Sequence, residues 1–248
     1  MTKHTGPTPH YGLVGDGRLA RHLSHYFSLL ALPFTNWSRR APVPDLEKAD
    51  VVLLAIRDQA LAGFLDDFAR ERGVELRDGR RRFVHFSGAW SVDGLTGAHP
   101  LASFGTELYP ETEYREIPFF CETGEADFRR LFPTLPNPCF ALDPARKARY
   151  HAHAVLGGNF TTLLWKRLFR HLRDELGVPT AAALPYLRSV VRNLERDPGG
   201  ALTGPLARGE VETLRRDIQG LAGDAAATRI FESFVEAERP DLAERLKN

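Results

Sequence analysis

YGLVGDGRLARHL, Tyr11 to Leu23, reads as a short buried strand that ends in glycine and opens directly into a helix. Leu19, Leu23, Tyr26, Phe27 and Leu30 then recur at helical spacing. The turn between the two, Gly15-Asp16-Gly17-Arg18-Leu19-Ala20, fits G-x-G-x-x-G/A in the structural setting that pattern requires. Gly15 permits a tight turn, Gly17 lets a phosphate approach the backbone, and Ala20 lets helix and strand pack closely. A pyrophosphate would rest on the free N–H groups and positive dipole end of the helix beginning near Arg18. A plain glycine turn would need no such ligand, so the flanking sequence has to decide.

Working outward, LPFTNW is a second strand candidate, and about 20 residues beyond the glycines a dinucleotide site places the group that meets the ribose. Here that position reads Asn36-Trp37-Ser38-Arg39-Arg40. It offers no carboxylate for a ribose hydroxyl, whereas a serine and two guanidinium groups suit a 2′-phosphate, so the expectation is NADP(H) over NAD(H). The plainer reading of Arg39 and Arg40 is a pair of solvated loop residues.

ADVVLLAIRD is a continuous apolar run of the kind found where both faces of a parallel sheet are covered. Ala60, Leu61, Phe64, Leu65, Phe68 and Ala69 follow on one helical face, and RRFVHFSGAW and IPFFCETG supply further strands. The order predicts an α/β fold, a doubly wound and mostly parallel Rossmann sheet. Prolines 133, 136, 138 and 144 then break regular structure. ARKARYHAHAVLGGNFTTLLWKRLFRHLRDELG reads as a long helix open to interruption at Gly157 and Gly158, ending near Gly177 and Pro179. Three more helices fall in AAALPYLRSVVRNLER, GEVETLRRDIQGLAGD and ATRIFESFVEAE. The expected domains are 1–142, binding nucleotide, and 143–248, all helical.

With 248 residues, 43% apolar, the chain can bury a core, and a net charge of +1 gives no reason to expect a nucleic-acid partner. Two cysteines make neither a disulfide framework nor a CxxC metal site, so no metal is expected. With no signal-peptide pattern and no apolar run of membrane-spanning length, the expected compartment is the cytoplasm.

Four patches carry polar groups that a plain core would not need. In HFSGAW, Ser87 and Gly88 lie where ligands of open α/β sheets bind, beyond a strand's carboxyl end, while His85 reads as a hydrogen-bonded histidine pointing into the domain. In GAHPLASFG, Pro100 biases His99 toward extended backbone, at a cleft edge or in an ordinary turn. In RYHAHAVLGGNF, His151, Val155 and Asn159 share one stripe of a continuous helix, His153 points elsewhere, and the paired glycines need a close neighbour to justify their cost. In ALTGPLARGEVETL, Arg208 is a candidate for a substrate carboxylate, while Glu210 and Glu212 suit a helix start.

The segments GLVGDGRLARHL, NWSRR, VLLAIRD, HFSGAWSVDGL, HPLASF, IPFF, YHAHAVLGGNF and LTGPLARGE occur in the order and spacing of a known family. Over nearly its whole length the chain resembles the bacterial Rossmann-like proteins with a DUF2520 C-terminal domain. The resemblance implies an NADP-binding domain joined to a helical domain like that of 6-phosphogluconate dehydrogenase, with similarity to pyrroline-5-carboxylate and ketopantoate reductases. It also implies a homodimer through the helical domains. Many β-hydroxyacid dehydrogenases of this architecture carry a catalytic lysine one turn before the helix asparagine; here that residue is Val155. The expectation is an NADPH-dependent reductase of a small carbonyl or imine acid, working between the domains. Asn159 would orient the substrate, Arg208 would hold its carboxylate, and His151 or His99 would donate the proton. The rival reading is a non-catalytic NADP-binding redox sensor. A weaker third, a methyltransferase-like S-adenosylmethionine site, lacks an acidic ribose contact.

Overall fold

The apolar run after Ala49 forms the middle of a sheet, because strands covered on both faces have no polar side to present. In the structure, a computed structural model that describes residues 8–38, 46–72 and 81–247, the chain divides into two compact units, Met1–Trp165 and Lys166–Asn248.

The first unit runs β1 (Tyr11–Val14), α1 (Arg18–Leu29), β2 (Phe34–Trp37), β3 (Val51–Leu54), α2 (Leu61–Arg72), β4 (Arg82–His85) and β5 (Thr96–Pro100). It continues through α3 (Glu111–Glu116), β6 (Phe119–Cys121), α4 (Glu125–Leu131), β7 (Cys139–Ala141) and α5 (Lys147–Val155). Seven strands form one sheet in the order β2-β1-β3-β4-β5-β6-β7. Every pairing is parallel except β5 with β6. The α/β expectation holds. Because β2 and β3 lie on opposite sides of β1, the glycine turn leaves β1 at a point where the strand order reverses, the place where open α/β sheets bind ligands.

Alternation along the strands sends side chains to two cores. Tyr11, Leu13, Val51 and Leu53 meet Leu23, Tyr26 and Phe27 of α1 on one face. Val14, Val52 and Leu54 meet Leu61, Leu65 and Phe68 of α2 on the other. Phe27 and Tyr11 are wholly buried with ring centroids 4.9 Å apart, and burying each stabilises by about 2–3 kcal/mol.

Two strands differ from the sequence expectation. β5 covers Thr96 and the GAHP that opens GAHPLASFG, and β7 lies among the prolines. Both are short and irregular in pattern, and β7 has one buried residue, Cys139, so neither shows a strand period. The long helix is also divided. A π-helical turn, Leu156–Phe160, separates α5 from α6 (Thr161–Asp174). The extra residue it inserts breaks the stripe from His151 through Val155 at its last step, so Asn159 is not in line.

The second unit contains α7 (Leu184–Arg196), α8 (Pro205–Arg208), α9 (Val211–Gly220), α10 (Ala225–Glu238) and α11 (Pro240–Lys247), the last one not anticipated. Its core is Leu214, Val235 and Leu242 with Leu206, Val211, Phe231 and neighbours packed around them. Asp224 caps α10 by accepting the N–H groups of Ala226 and Ala227. No helix among the described residues is long and apolar enough to cross a membrane.

Candidate functional site

The two glycines after β1 are small for different reasons. Gly15 has φ +136°, and a Cβ there would come within 2.3 Å of the Ala55 carbonyl oxygen, so the fold itself demands glycine. Gly17 has extended backbone, and a Cβ on it would meet nothing within 4 Å among the described residues. It stands at the N-terminus of α1, where no side chain caps the helix and the first turn has no acidic residue. The opening N–H groups of α1 carry the partial positive charge of a helix N-terminus. Asp16 and Arg18 are exposed beside them, Leu19 is half-buried, and Ala20 is buried where its methyl group lies 3.5 Å from a Cβ built on Gly15. Ser38 follows β2 half-buried; Arg39 and Arg40 lie outside the described residues.

A second cluster is built on the sheet face that carries α2. In-register neighbours share a face and residues two apart along a strand share it too. His85 pairs with Gly97, and His99 pairs with Phe120, so His85, Gly97, His99, Phe120 and Glu122 form one surface. Over it lies the stripe Lys147, Tyr150 and His151, spaced by three and four along α5. Lys147 is fully buried and donates at 2.6 Å both to Glu122 Oε1 and to the Trp90 carbonyl. Glu122 also accepts from Ser91 Oγ at 2.6 Å and Gly97 N at 3.0 Å. Burial pushes the Glu122 carboxyl up, but the Lys147 and Ser91 hydrogen bonds, the Lys147 charge and the Gly97 N–H outweigh it and hold the group below its ordinary value. A Cβ on Gly97 would collide with Lys147 Nζ at 2.5 Å, so a strand glycine makes room for this ion pair.

One step further along the same surface, His99 Nδ1 and Tyr150 Oη are 2.9 Å apart, and the Tyr150 ring packs on Phe120 at 4.6 Å. The His99 and His151 rings meet edge to face at 5.7 Å. Both abut Gly88: a Cβ there would stand 2.3 Å from His151 Cδ2 and 2.9 Å from His99 Nε2. Burial, then the adjacent His151 and the Lys147 charge, lower His99 to about 4. Burial pushes Tyr150 up to about 12. His85, fully buried, is lowered to about 4, first by burial and then by Lys147, against the pull of Glu122 and Asp58. Its Nδ1 accepts the Ser87 N–H at 3.3 Å, while Nε2 has no hydrogen-bond partner among the described residues.

Of the residues singled out from sequence, His99, His151 and Gly88 therefore come together. Ser87 lies beside them, but its hydroxyl is committed: it donates to Asp58 Oδ2 at 2.8 Å and accepts the N–H groups of Ala89 and Trp90. Asn159 is exposed in the π-helical turn, and nothing lies within 4 Å of a Cβ on Gly157 or Gly158. Arg208, in the second unit, is exposed with its guanidinium held by Glu210 at 2.6 and 3.2 Å. Sequence reasoning missed Lys147, Tyr150 and Glu122. The i, i+3, i+4 stripe on α5 was the available signal, and it runs N-terminal to His151, away from the stripe that was read.

Solved structures share this mostly parallel sheet with a glycine turn at its switch point and a helical region after it over most of their length. A Bacteroides fragilis protein described as a candidate NADP oxidoreductase aligns with TM-score 0.74 at 21% identity, covering 92% of this chain and 97% of its own. An imine reductase of Streptomyces aurantiacus aligns with TM-score 0.62 at 16% identity, covering 96% and 99%. A reductive aminase of Aspergillus terreus, solved with NADPH and ethyl levulinate, gives 0.59 at 14%, covering 96% and 93%. At these identities the likeness establishes the fold. Residues 117–237 match the DUF2520 family model, a domain of unknown function. No curated protein sequence matches the chain.

Proposed function

We propose that this protein is an NADPH-dependent reductase of a small carbonyl or imine acid. The observation that carries the reading is the unequal need for two glycines: the fold demands Gly15, whereas the missing side chain of Gly17 opens space at an uncapped helix N-terminus and so serves a group outside the chain. The segment Gly15 to Ala20 would hold the pyrophosphate. The carboxylate-free end of β2, with Ser38 and then Arg39 and Arg40, suits a 2′-phosphate.

When bound, the cofactor supplies a hydride. The chain must then orient the substrate and provide a proton. His151 and His99 meet over Gly88, in the turn after β4, on the side of the sheet where ligands of this fold bind. Imidazole suits proton exchange near neutrality. Asn159 is assigned to the substrate's heteroatom, and Arg208 to its carboxylate in place of Glu210.

The test is titration with NADPH and with NADH, read by thermal shift, since a ligand that binds only the native state raises apparent stability. Stabilisation by NADPH and little by NADH is expected; none by either overturns the reading. NADPH consumption with a panel of 2-oxo acids and cyclic imines follows, and binding without turnover on any of them favours the redox sensor.

We also assign this chain a second copy as its partner. α6 and α7 are amphipathic, yet neither contains a buried residue, and Leu163, Tyr186, Val191 and Leu194 stand exposed on them. Faces of that kind mark association surfaces. Light scattering should give the mass of two chains, and a monomer at micromolar concentration would remove the assignment.

A further inference from the structure

The hydrogen bond between Tyr150 and His99 separates the roles of the two imidazoles, an inference that rests on the reductase reading. Among the described residues, the Tyr150 hydroxyl has one hydrogen-bond partner, His99 Nδ1 at 2.9 Å. If Nδ1 carried the proton and donated to Oη, the tyrosine O–H would have no acceptor in a half-buried place. The arrangement that leaves no orphan is Tyr150 donating to Nδ1, which puts the proton of a neutral His99 on Nε2. That edge, Cδ2 and Nε2, abuts Gly88. Nε2 itself has no hydrogen-bond partner among the described residues.

We infer that His99 acts through a neutral Nε2–H that hydrogen-bonds the substrate's reacting oxygen or nitrogen, that Tyr150 is the positioning residue which fixes this tautomer, and that His151 gives the proton. Two adjacent imidazoles do not both carry charge comfortably. His99 is lowered by burial, by the adjacent His151 and by Lys147 facing it from α5, and it stays uncharged near neutrality. A neutral imidazole has no proton to release without becoming an anion, so it polarises and does not donate outright. As a hydride adds to the substrate carbon, the π bond to the heteroatom breaks and its electron pair moves onto that atom. The His99 Nε2–H stabilises the charge, the His151 N–H bond breaks to pass its proton to the same atom, and solvent reprotonates His151. Gly88 matters because any side chain there would fill the position the two ring edges occupy.

The test starts with ligand-free protein carrying ¹⁵N-labelled histidine. At pH 7 to 8 the His99 signals should show protonated Nε2 and acceptor Nδ1, and Tyr150→Phe should give a mixture of tautomers. A cationic His99, or a proton on Nδ1, overturns the inference. In single turnovers with NADPH and an active substrate, Tyr150→Phe should slow hydride transfer on the order of 10-fold or more with NADPH affinity unchanged. His99→Leu should slow it on the order of 100-fold, and His99→Gln, which keeps an N–H donor, should recover part of that loss. If wild-type protein binds and oxidises NADPH while Tyr150→Phe changes neither tautomer nor rate, this division of roles fails and the reductase reading survives. If NADPH does not bind, both fall.

Discussion

The sheet unit and the helical unit use their apolar residues in opposite ways. In residues 8–165 the large side chains converge on two cores, one on each face of the sheet, with Tyr11, Phe27, Phe128 and Phe132 almost entirely enclosed. In Lys166–Asn248 the buried apolar residues among those described are Ala183, Leu214, Val235 and Leu242, while Tyr186, Leu194, Leu202 and Phe234 are at least half exposed. The first unit is held by a large interior of its own, whereas the second buries few apolar side chains and leaves several large ones at the surface.

Phe27→Ala should destabilise the sheet unit by about 3–5 kcal/mol, the cost of a cavity where nothing can collapse. Leu194→Ala, at 50% exposure, should leave chain stability within about 0.5 kcal/mol and instead weaken self-association. Chemical unfolding beside sedimentation on dilution separates the two; equal destabilisation by both variants would erase the contrast.

Next comes acid. His85 and His99 are both lowered to about 4, so the folded unit binds fewer protons than the unfolded chain. Their contribution is complete above the unfolded value of about 6.5 and is lost as pH falls toward 4, about 3 kcal/mol for each group. Glu122, held below its ordinary value, surrenders its share lower still, as pH drops beneath about 4.5. Charge pairs of the helical unit such as Arg208 with Glu210 and Arg239 with Asp241 lie at the surface and have no such leverage. Trp37, Trp90 and Trp165 all belong to the first unit, so tryptophan emission in urea should show its midpoint falling between pH 7 and 4.5. A flat midpoint would mean that the histidines are not held neutral.

The smallest effect on stability sharpens the comparison within the sheet unit itself. Gly17→Ala should change stability by less than about 0.5 kcal/mol, because the new methyl group meets nothing. NADPH affinity should nonetheless drop, as read by calorimetry. Unchanged affinity would return Gly17 to the status of an ordinary turn residue.

What could be read from the sequence follows the same division between regular and irregular parts. β1, β3, α1 and α2 announce themselves because a run such as Val51 to Leu54, or the spacing of Leu23, Tyr26 and Phe27, directly reflects burial on two faces or one. β5 does not, because its composition answers to the side chains packed on it: Gly97 makes room for Lys147, and His99 is hydrogen-bonded by Tyr150. The candidate site was legible to the extent that His99, His151 and Gly88 were singled out. That Tyr150 and Lys147 belong with them depends on which face of α5 meets the sheet, where His99 and Phe120 stand side by side.

The π-helical turn at Leu156–Phe160 makes the chain's longest helical stretch a two-phase object. A straight α-helix advances about 100° per residue, so one surplus residue turns every side chain of α6 by about that angle relative to those of α5. His151 and Leu163 thereby answer to separate angular frames, one set by the sheet beneath α5 and the other set after the turn. A single-residue deletion between 156 and 160 would bring the frames into phase and present a different face of α6, with no side chain in either helix exchanged for another.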